Sequence, residues 1–195
     1  MKKLDFYDVD KNYINYLKEE EIKHRGFTRV PDVEYKNEKK FLCGIVLEIN
    51  GVDYYVPVSS YKKQKPDNFL IVLEDDKYNK VKGSLRFNYM IPVPKSCVKR
   101  RIINDEKKPS RRLFLHRQLV YINENVEVIM NRARRTYLRV INNYSPTLAK
   151  NSCDFKFLEK KCLEYEGYLE SLKEAATSMD ENLQITNNVQ EELEL

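Results

Sequence analysis

The sequence predicts an α+β domain in which a strongly twisted, mostly antiparallel sheet comes first and a layer of helices follows. Two observations predict it. Residues 4–103 hold short apolar or β-branched runs separated by turn residues. From Pro109 onward the apolar spacing switches to the three-to-four-residue period of helices. Leu4–Val9 reads as a short strand, and Asp10 as the N-cap of a helix carrying Tyr13, Tyr16 and Leu17. Residues 22–38, with Gly26, Pro31 and many charges, keep no period and read as a loop, a segment type that often carries function. Phe41–Ile49 is a central strand. Asn50-Gly51 is the strongest short hairpin signal, and Val52–Val58 returns and ends in Ser59-Ser60. Phe69–Leu73 and Leu85–Val93 supply two more strands, the second closed by Pro92 and Pro94, and Cys97–Ile103 another. Short connections make the sheet antiparallel. After Pro109-Ser110, Leu115, Leu119, Ile122, Val126, Ile129, Ala133 and Val140 recur at helical spacing, with a break near Asn123–Asn125. Asp154 opens a last helix with Leu158, Cys162, Tyr165, Leu169, Leu172 and Ala176 on one face. One domain over 1–176 and a flexible acidic tail over 177–195 are expected.

The chain's 195 residues are enough for one real core, and its 42% hydrophobic and 33% charged residues are an ordinary soluble mix. No apolar run is long enough to cross a bilayer, and Met1-Lys2-Lys3-Leu4-Asp5 does not lead into an apolar stretch. A cytoplasmic location with no membrane partner is expected. Cys43, Cys97, Cys153 and Cys162 form no C-x-x-C pair, and His24 and His116 are the only histidines. Four reduced, mostly buried thiols are expected, with no metal and no cofactor. The same scarcity argues against a paired-histidine ribonuclease, and no paired carboxylates mark a two-metal nuclease. Net charge is +5. The tail after Thr177 holds five acids and no base, which leaves +10 on residues 1–176. A body this basic, with 14 tyrosines, suits single-stranded nucleic acid.

Three stretches carry candidate chemistry. Ser59-Ser60-Tyr61-Lys62-Lys63, with Lys65 beyond, projects hydroxyls and charge from a strand end, the combination phosphate oxygens need. A solvated polar turn is the bland alternative. A two-residue turn at Asn50-Gly51 pairs Ile49 with Val52 and, by extension, Lys40 with Tyr61. That sets Lys39 beside Lys62 and gathers Tyr35, Lys39, Ser59, Ser60 and Lys62 at one hairpin end. Residues 95–112 hold eight bases, Lys95, Lys99, Arg100, Arg101, Lys107, Lys108, Arg111 and Arg112, against two acids, a plausible RNA backbone track. Gln118 and Tyr121 share a helix face and join the RNA-binding candidates, whereas His116 reads as structural.

Taken in order, these residues resemble the ToxN/AbiQ endoribonuclease toxins of type III toxin–antitoxin systems. The likeness runs through Phe6-Tyr7, Tyr13-Ile14-x-Tyr16-Leu17-Lys18, Tyr35-x-Asn37-x-Lys39-x-Phe41 and Gly44-Ile45-Val46-Leu47-Glu48-Ile49. It continues with Pro57-x-Ser59-Ser60-x-Lys62-Lys63, Met90-Ile91-Pro92, Gln118-Leu119 and Cys153-Asp154-Phe155-x-x-Leu158-Glu159. The resemblance implies a partly barrel-like sheet similar to the Kid/MazF core. It implies sequence-selective cutting of A-rich single-stranded RNA and a role in plasmid maintenance or abortive phage infection; the mechanism expected is metal-independent, the substrate's own 2′-hydroxyl attacking the adjacent phosphorus to leave a 2′,3′-cyclic phosphate. It also implies a repeated pseudoknot RNA antitoxin closing a protein–RNA assembly; no DNA partner is expected. Matched by position, the family's serine falls on Ser60, its neighbouring threonine on Ser59 and its lysine on Lys62. Its tyrosines fall on Tyr13 and Tyr35 and its loop lysine on Lys39, while Tyr61 stands where some members have proline. The general base stays open. Competing readings are a non-catalytic single-stranded RNA-binding module, a protein-interaction domain, and a cyclising ribonuclease held by a protein inhibitor.

Overall fold

The computed structural model describes residues 3–35, 38–75 and 78–193, with side-chain detail for these except 35–39, 75–79, 176 and 178 onward. Along the chain run β1 (Asp5–Val9), α1 (Lys11–Arg25), β2 (Glu34–Tyr35), β3 (Glu38–Lys39), β4 (Leu42–Ile49), β5 (Val52–Ser59) and β6 (Asn68–Asp75). Then come β7 (Tyr78–Arg86), β8 (Ile91–Pro92), β9 (Val98–Arg100), α2 (Pro109–Glu124), α3 (Val126–Ile141), α4 (Pro146–Lys150) and α5 (Phe155–Leu193). The chain divides into two units, Met1–Cys162 and Leu163–Leu195, and the described part of the second is the remainder of α5, to Leu193.

One antiparallel sheet carries the order β6-β7-β5-β4-β1-β9, with β8 added to β5, and β2 and β3 form a separate ribbon. The α+β expectation holds, but the sheet is open and does not close into part of a barrel. Closure needs hydrogen bonds between the end strands; here β9 is three residues long and α2 packs against β6. Strand β7 begins at Tyr78 and ends at Arg86, followed by a 3-10 turn at Phe87–Tyr89, where one strand over Leu85–Val93 was expected. Helix α1 runs to Arg25 and stops at Gly26, whose φ of 81° is the left-handed cap glycine adopts freely.

The core lies between the sheet and the helices. Asp10 caps α1 by accepting from the Asn12 N–H, and Asp154 caps α5 by accepting from the Phe157 N–H. The break at Asn123–Asn125 separates α2 from α3 as expected. Tyr54, Tyr137 and Phe155 pack ring on ring with centroids 5.6–5.9 Å apart, each pair contributing about 0.5–1.5 kcal/mol beyond its burial. Both tyrosine hydroxyls donate to the Glu159 carboxylate, at 2.9 and 2.6 Å, so the buried acid is satisfied. All four cysteines are buried.

Candidate active-site groove

Strand β5 changes partners along its length. Tyr54 and Tyr55 pair with β8, whereas Val58 and Ser59 pair with Leu85 and Ser84 of β7. Gly83 permits that approach, because a Cβ there would stand 2.5 Å from the Ser59 carbonyl oxygen. On the other edge, the β4–β5 ladder starts as expected with Ile49 opposite Val52. A bulge between Gly44 and Leu47 then shifts it by two residues, so Leu42 faces Pro57. The Val58 N–H reaches the Phe41 carbonyl at 3.4 Å, and continuing that register sets Lys40 level with Ser59. This corrects the expected pairing of Lys40 with Tyr61. It also removes the expected neighbourhood of Lys39 and Lys62, since Lys39 pairs with Glu34 in the small ribbon.

At this strand end lies a groove of about 570 Å³. Pro57–Ser60 and Lys40–Leu42 form one side, Thr28–Asp32 another, and Arg86, Tyr89 and Arg111 complete it. Four cations, Arg29, Lys40, Arg86 and Arg111, line it against one acid among the described residues, Asp32, which Lys18 engages. Arg86 is held between two rings, its guanidinium carbon 4.9 Å from the Tyr61 centroid and 4.3 Å from that of Tyr89. It has no carboxylate or hydrogen-bond acceptor among the described residues. A half-buried guanidinium fixed by stacking and left without an anion is poised for a phosphate. Ser59 Oγ accepts from the Tyr61 N–H at 3.2 Å, while the exposed Ser60 hydroxyl has no partner among the described residues. The loop carrying exposed Lys62 and Lys63 is pinned from below. Asn68 Oδ1 accepts from the Lys65 N–H, Asn68 Nδ2 donates to the Lys63 carbonyl, and Ser84 Oγ donates to the Tyr61 carbonyl.

The Thr28–Asp32 wall is fixed by one buried carboxylate. Glu21, fully buried on α1, accepts from Arg25 Nη2 (2.7 Å), Thr28 Oγ1 (2.6 Å), the Arg29 N–H (2.6 Å), the Val30 N–H (3.3 Å) and the Asp154 N–H (2.8 Å). So many donors make burial of this charge tolerable. The arrangement ties α1, the wall and the start of α5 together.

Of the sequence-predicted residues, the structure gathers Ser59, Ser60 and Arg111 in the groove, with Lys62 and Lys63 on the adjoining loop. Tyr35 and Lys39 lie in β2 and β3, and their side chains fall outside the described residues. Tyr13 is fully buried, its hydroxyl donating to the Pro92 carbonyl at 2.7 Å, so it packs the core rather than facing the groove. Burial also pushes that phenol well above its ordinary range. Gln118 is buried at 3% exposure, so it offers nothing to an external strand in this conformation, and Tyr121 packs near Phe69. The 95–112 track is less charged than its composition implies. Arg100 is engaged by Asp5, Arg101 by Asp8 and Glu106, and Arg111 by Glu106, while Lys95 and Lys99 stay exposed and Arg112 reaches the Asn104 carbonyl. Sequence reasoning missed Arg29, Lys40, Arg86 and Tyr89. The available signal was Arg86-Phe87-Asn88-Tyr89, a base interleaved with aromatics.

A family model described as "Toxin ToxN, type III toxin-antitoxin system" matches residues 5–163. The chain belongs to the ToxN family. Among its ToxN-family relatives, the endoribonuclease AbiQ of Lactococcus lactis subsp. lactis is 31% identical over 172 residues, covering 83% of this chain and 89% of that protein. The endoribonuclease ToxN of Pectobacterium atrosepticum is 27% identical over 180 residues, covering 88% of this chain and 99% of that protein. A solved AbiQ structure, described as a lactococcal anti-phage endoribonuclease, matches with a TM-score of 0.72 and 30% identity, over 85% of this chain and 99% of that one. Another structure, described as showing selective toxin inhibition by a non-coding RNA pseudoknot, matches with a TM-score of 0.72 and 26% identity over the same shares.

Proposed function

We propose that this chain is the endoribonuclease toxin of a type III toxin–antitoxin system. In this reading it cuts A-rich single-stranded RNA without a metal ion and serves in abortive phage infection. The domain that does so spans residues 1–176, and a repeated pseudoknot RNA antitoxin restrains it in a closed protein–RNA assembly. The observation that carries the reading is Arg86, a guanidinium stacked between Tyr61 and Tyr89 with no carboxylate partner among the described residues, in the same groove as Ser59 and Ser60. Family membership and the endoribonuclease relatives support it.

The chemistry follows from that donor set. The RNA's own 2′-hydroxyl attacks the adjacent phosphorus in line, the 5′-oxygen leaves, and a 2′,3′-cyclic phosphate remains. The groove aligns these atoms and stabilises charge on the phosphorane oxygens. Arg86 and Lys40 supply charge, joined by Lys62 and Lys39, and the Ser59 and Ser60 hydroxyls donate hydrogen bonds. Tyr35 orients the sugar or base, and Tyr13 is assigned a packing role. Among the described residues the groove holds one carboxylate, Asp32, already engaged by a lysine, which is a poor basis for a two-metal site. Rate then rests on positioning rather than on a strong base. The test is end-group analysis of an A-rich single-stranded RNA incubated with the protein in EDTA. A cyclic phosphate and a 5′-hydroxyl, lost in Ser60→Ala, are expected. Intact RNA with salt-sensitive binding would overturn the reading in favour of a non-catalytic RNA-binding module.

A further inference from the structure

A second cavity, of about 400 Å³, lies beyond the wall that Arg86 and Tyr89 form, and those two side chains line both spaces. The two spaces therefore adjoin across Arg86 and Tyr89. The other cations of this second cavity are Lys65 and Arg139, and its one acid among the described residues is Asp67. Arg139, half-buried on α3, has no ion pair and no side-chain hydrogen bond among the described residues. Ser145 and Thr147 add hydroxyls on the same wall. Asn88 donates through Nδ2 to the Asn151 carbonyl at 2.8 Å, which fixes its amide in the wall. The volume falls within the ~300–1,000 Å³ typical of small-ligand sites.

We propose that this cavity is a second nucleotide subsite, holding the phosphate and nucleoside next to the one at Ser60 on the same RNA strand. It rests on reading the groove as an RNA site. Arg139 and Lys65 bind the neighbouring phosphate, Arg86 bridges the two phosphates, and the Tyr89 ring separates the two nucleosides. Surface basic tracks bind any polyanion along their length. A walled cavity with an arginine that has no ion pair among the described residues should instead make affinity depend on whether a nucleotide reaches it.

The experiment is fluorescence anisotropy with 2′-O-methyl oligoribonucleotides of two, four and six residues, which cannot be cut. It compares the wild-type protein with Arg139→Ala and Arg139→Lys over a salt series. Wild-type affinity is expected to rise at least tenfold from two to four residues. Arg139→Ala should lose that step and reduce the slope of log affinity against log salt by about 0.7, the value of one single-strand phosphate contact. Arg139→Lys should keep the slope. Matching melting curves exclude misfolding, which is not expected because the Arg139 side chain makes no ion pair or hydrogen bond among the described residues. Wild-type length dependence and slope in Arg139→Ala would overturn the subsite. So would competition by inorganic phosphate with no length dependence at all. Cutting assays keep the two readings apart. Cutting without an Arg139-dependent step sinks the subsite alone, whereas the step without cutting leaves the subsite standing and sinks the catalytic reading.

Discussion

Replacing Gly83 with alanine perturbs the proposed centre through the Ser59 backbone, without removing any side chain that would meet RNA. The added Cβ would sit 2.5 Å from the Ser59 carbonyl oxygen, against the ~3.5 Å of ordinary contact between non-bonded heavy atoms. Something must open by about 1 Å. The obstacle is backbone in a ladder, so β5 and β7 must part at Ser59, the residue that pairs with Ser84. Overpacking of this kind costs about 1–3 kcal/mol, or about 2–4 °C of melting temperature per kcal/mol at this chain length. The fold should survive. A displacement near 1 Å at a reacting centre costs about 10²-fold in rate. The assay is the initial rate of cutting of a fluorogenic single-stranded RNA, beside a melting curve. Gly44→Ala is the matched control, because its Cβ would meet the Tyr55 ring at 2.3 Å, away from the serines. It should lose comparable stability and much less rate. If Gly83→Ala cuts as fast as Gly44→Ala, the strand end does not set the geometry of the centre.

Two further changes test the scaffold. Glu21→Gln should lower unfolding free energy by about 3–5 kcal/mol, as expected when one partner of a buried charged network is lost; urea denaturation at neutral pH measures it, and a loss under 1 kcal/mol would mean the wall is held by other contacts. Burial keeps the Tyr13 and Tyr54 phenols protonated well above the usual range near pH 10. The unfolded chain releases those protons near pH 10 while the folded chain retains them, so stability is full below pH 10 and falls as pH rises beyond it. Urea midpoints from pH 8 to 11 should show that fall, and Tyr13→Phe should remove up to about 1.4 kcal/mol per pH unit of it. A Tyr13→Phe curve parallel to the wild type would refute the assignment.

Local signals were legible in the sequence and long-range ones were not. Asn50-Gly51 announced its hairpin, and both residues take the positive φ that such a turn demands, 51° and 79°. The Asp10 and Asp154 caps were equally readable, because a cap is written within four residues. Strand β7 escaped notice because Lys80 and Lys82 give it the look of a solvated segment. Glu21 carries no local signal of its role, since its partners Thr28, Arg29 and Asp154 stand 7, 8 and 133 residues away. Ser59 and Ser60 were picked out from hydroxyls beside lysines, whereas Arg86 joins them only through the pairing of β5 with β7. Tyr13 and Gln118 were misplaced for the opposite reason: a polar tip does not announce that its body is buried.

The bulge in β4 has a consequence for how this site tolerates change in chain length. In a regular ladder Leu42 would face Ser59 and Phe41 would face Ser60, which would enclose both hydroxyl-bearing residues between neighbouring strands. Two extra residues on β4 slide the strands past each other by roughly 7 Å, at ~3.3 Å per residue. Because the offset is even, every side chain keeps its face of the sheet. The serines thus overhang β4 while the core beneath is undisturbed. Deleting one residue here would invert the faces, whereas deleting two would restore an unbroken sheet and close off the opening. Length at this point acts as a spacer, so insertions and deletions between Gly44 and Leu47 should alter cutting in steps of parity rather than in proportion to their size.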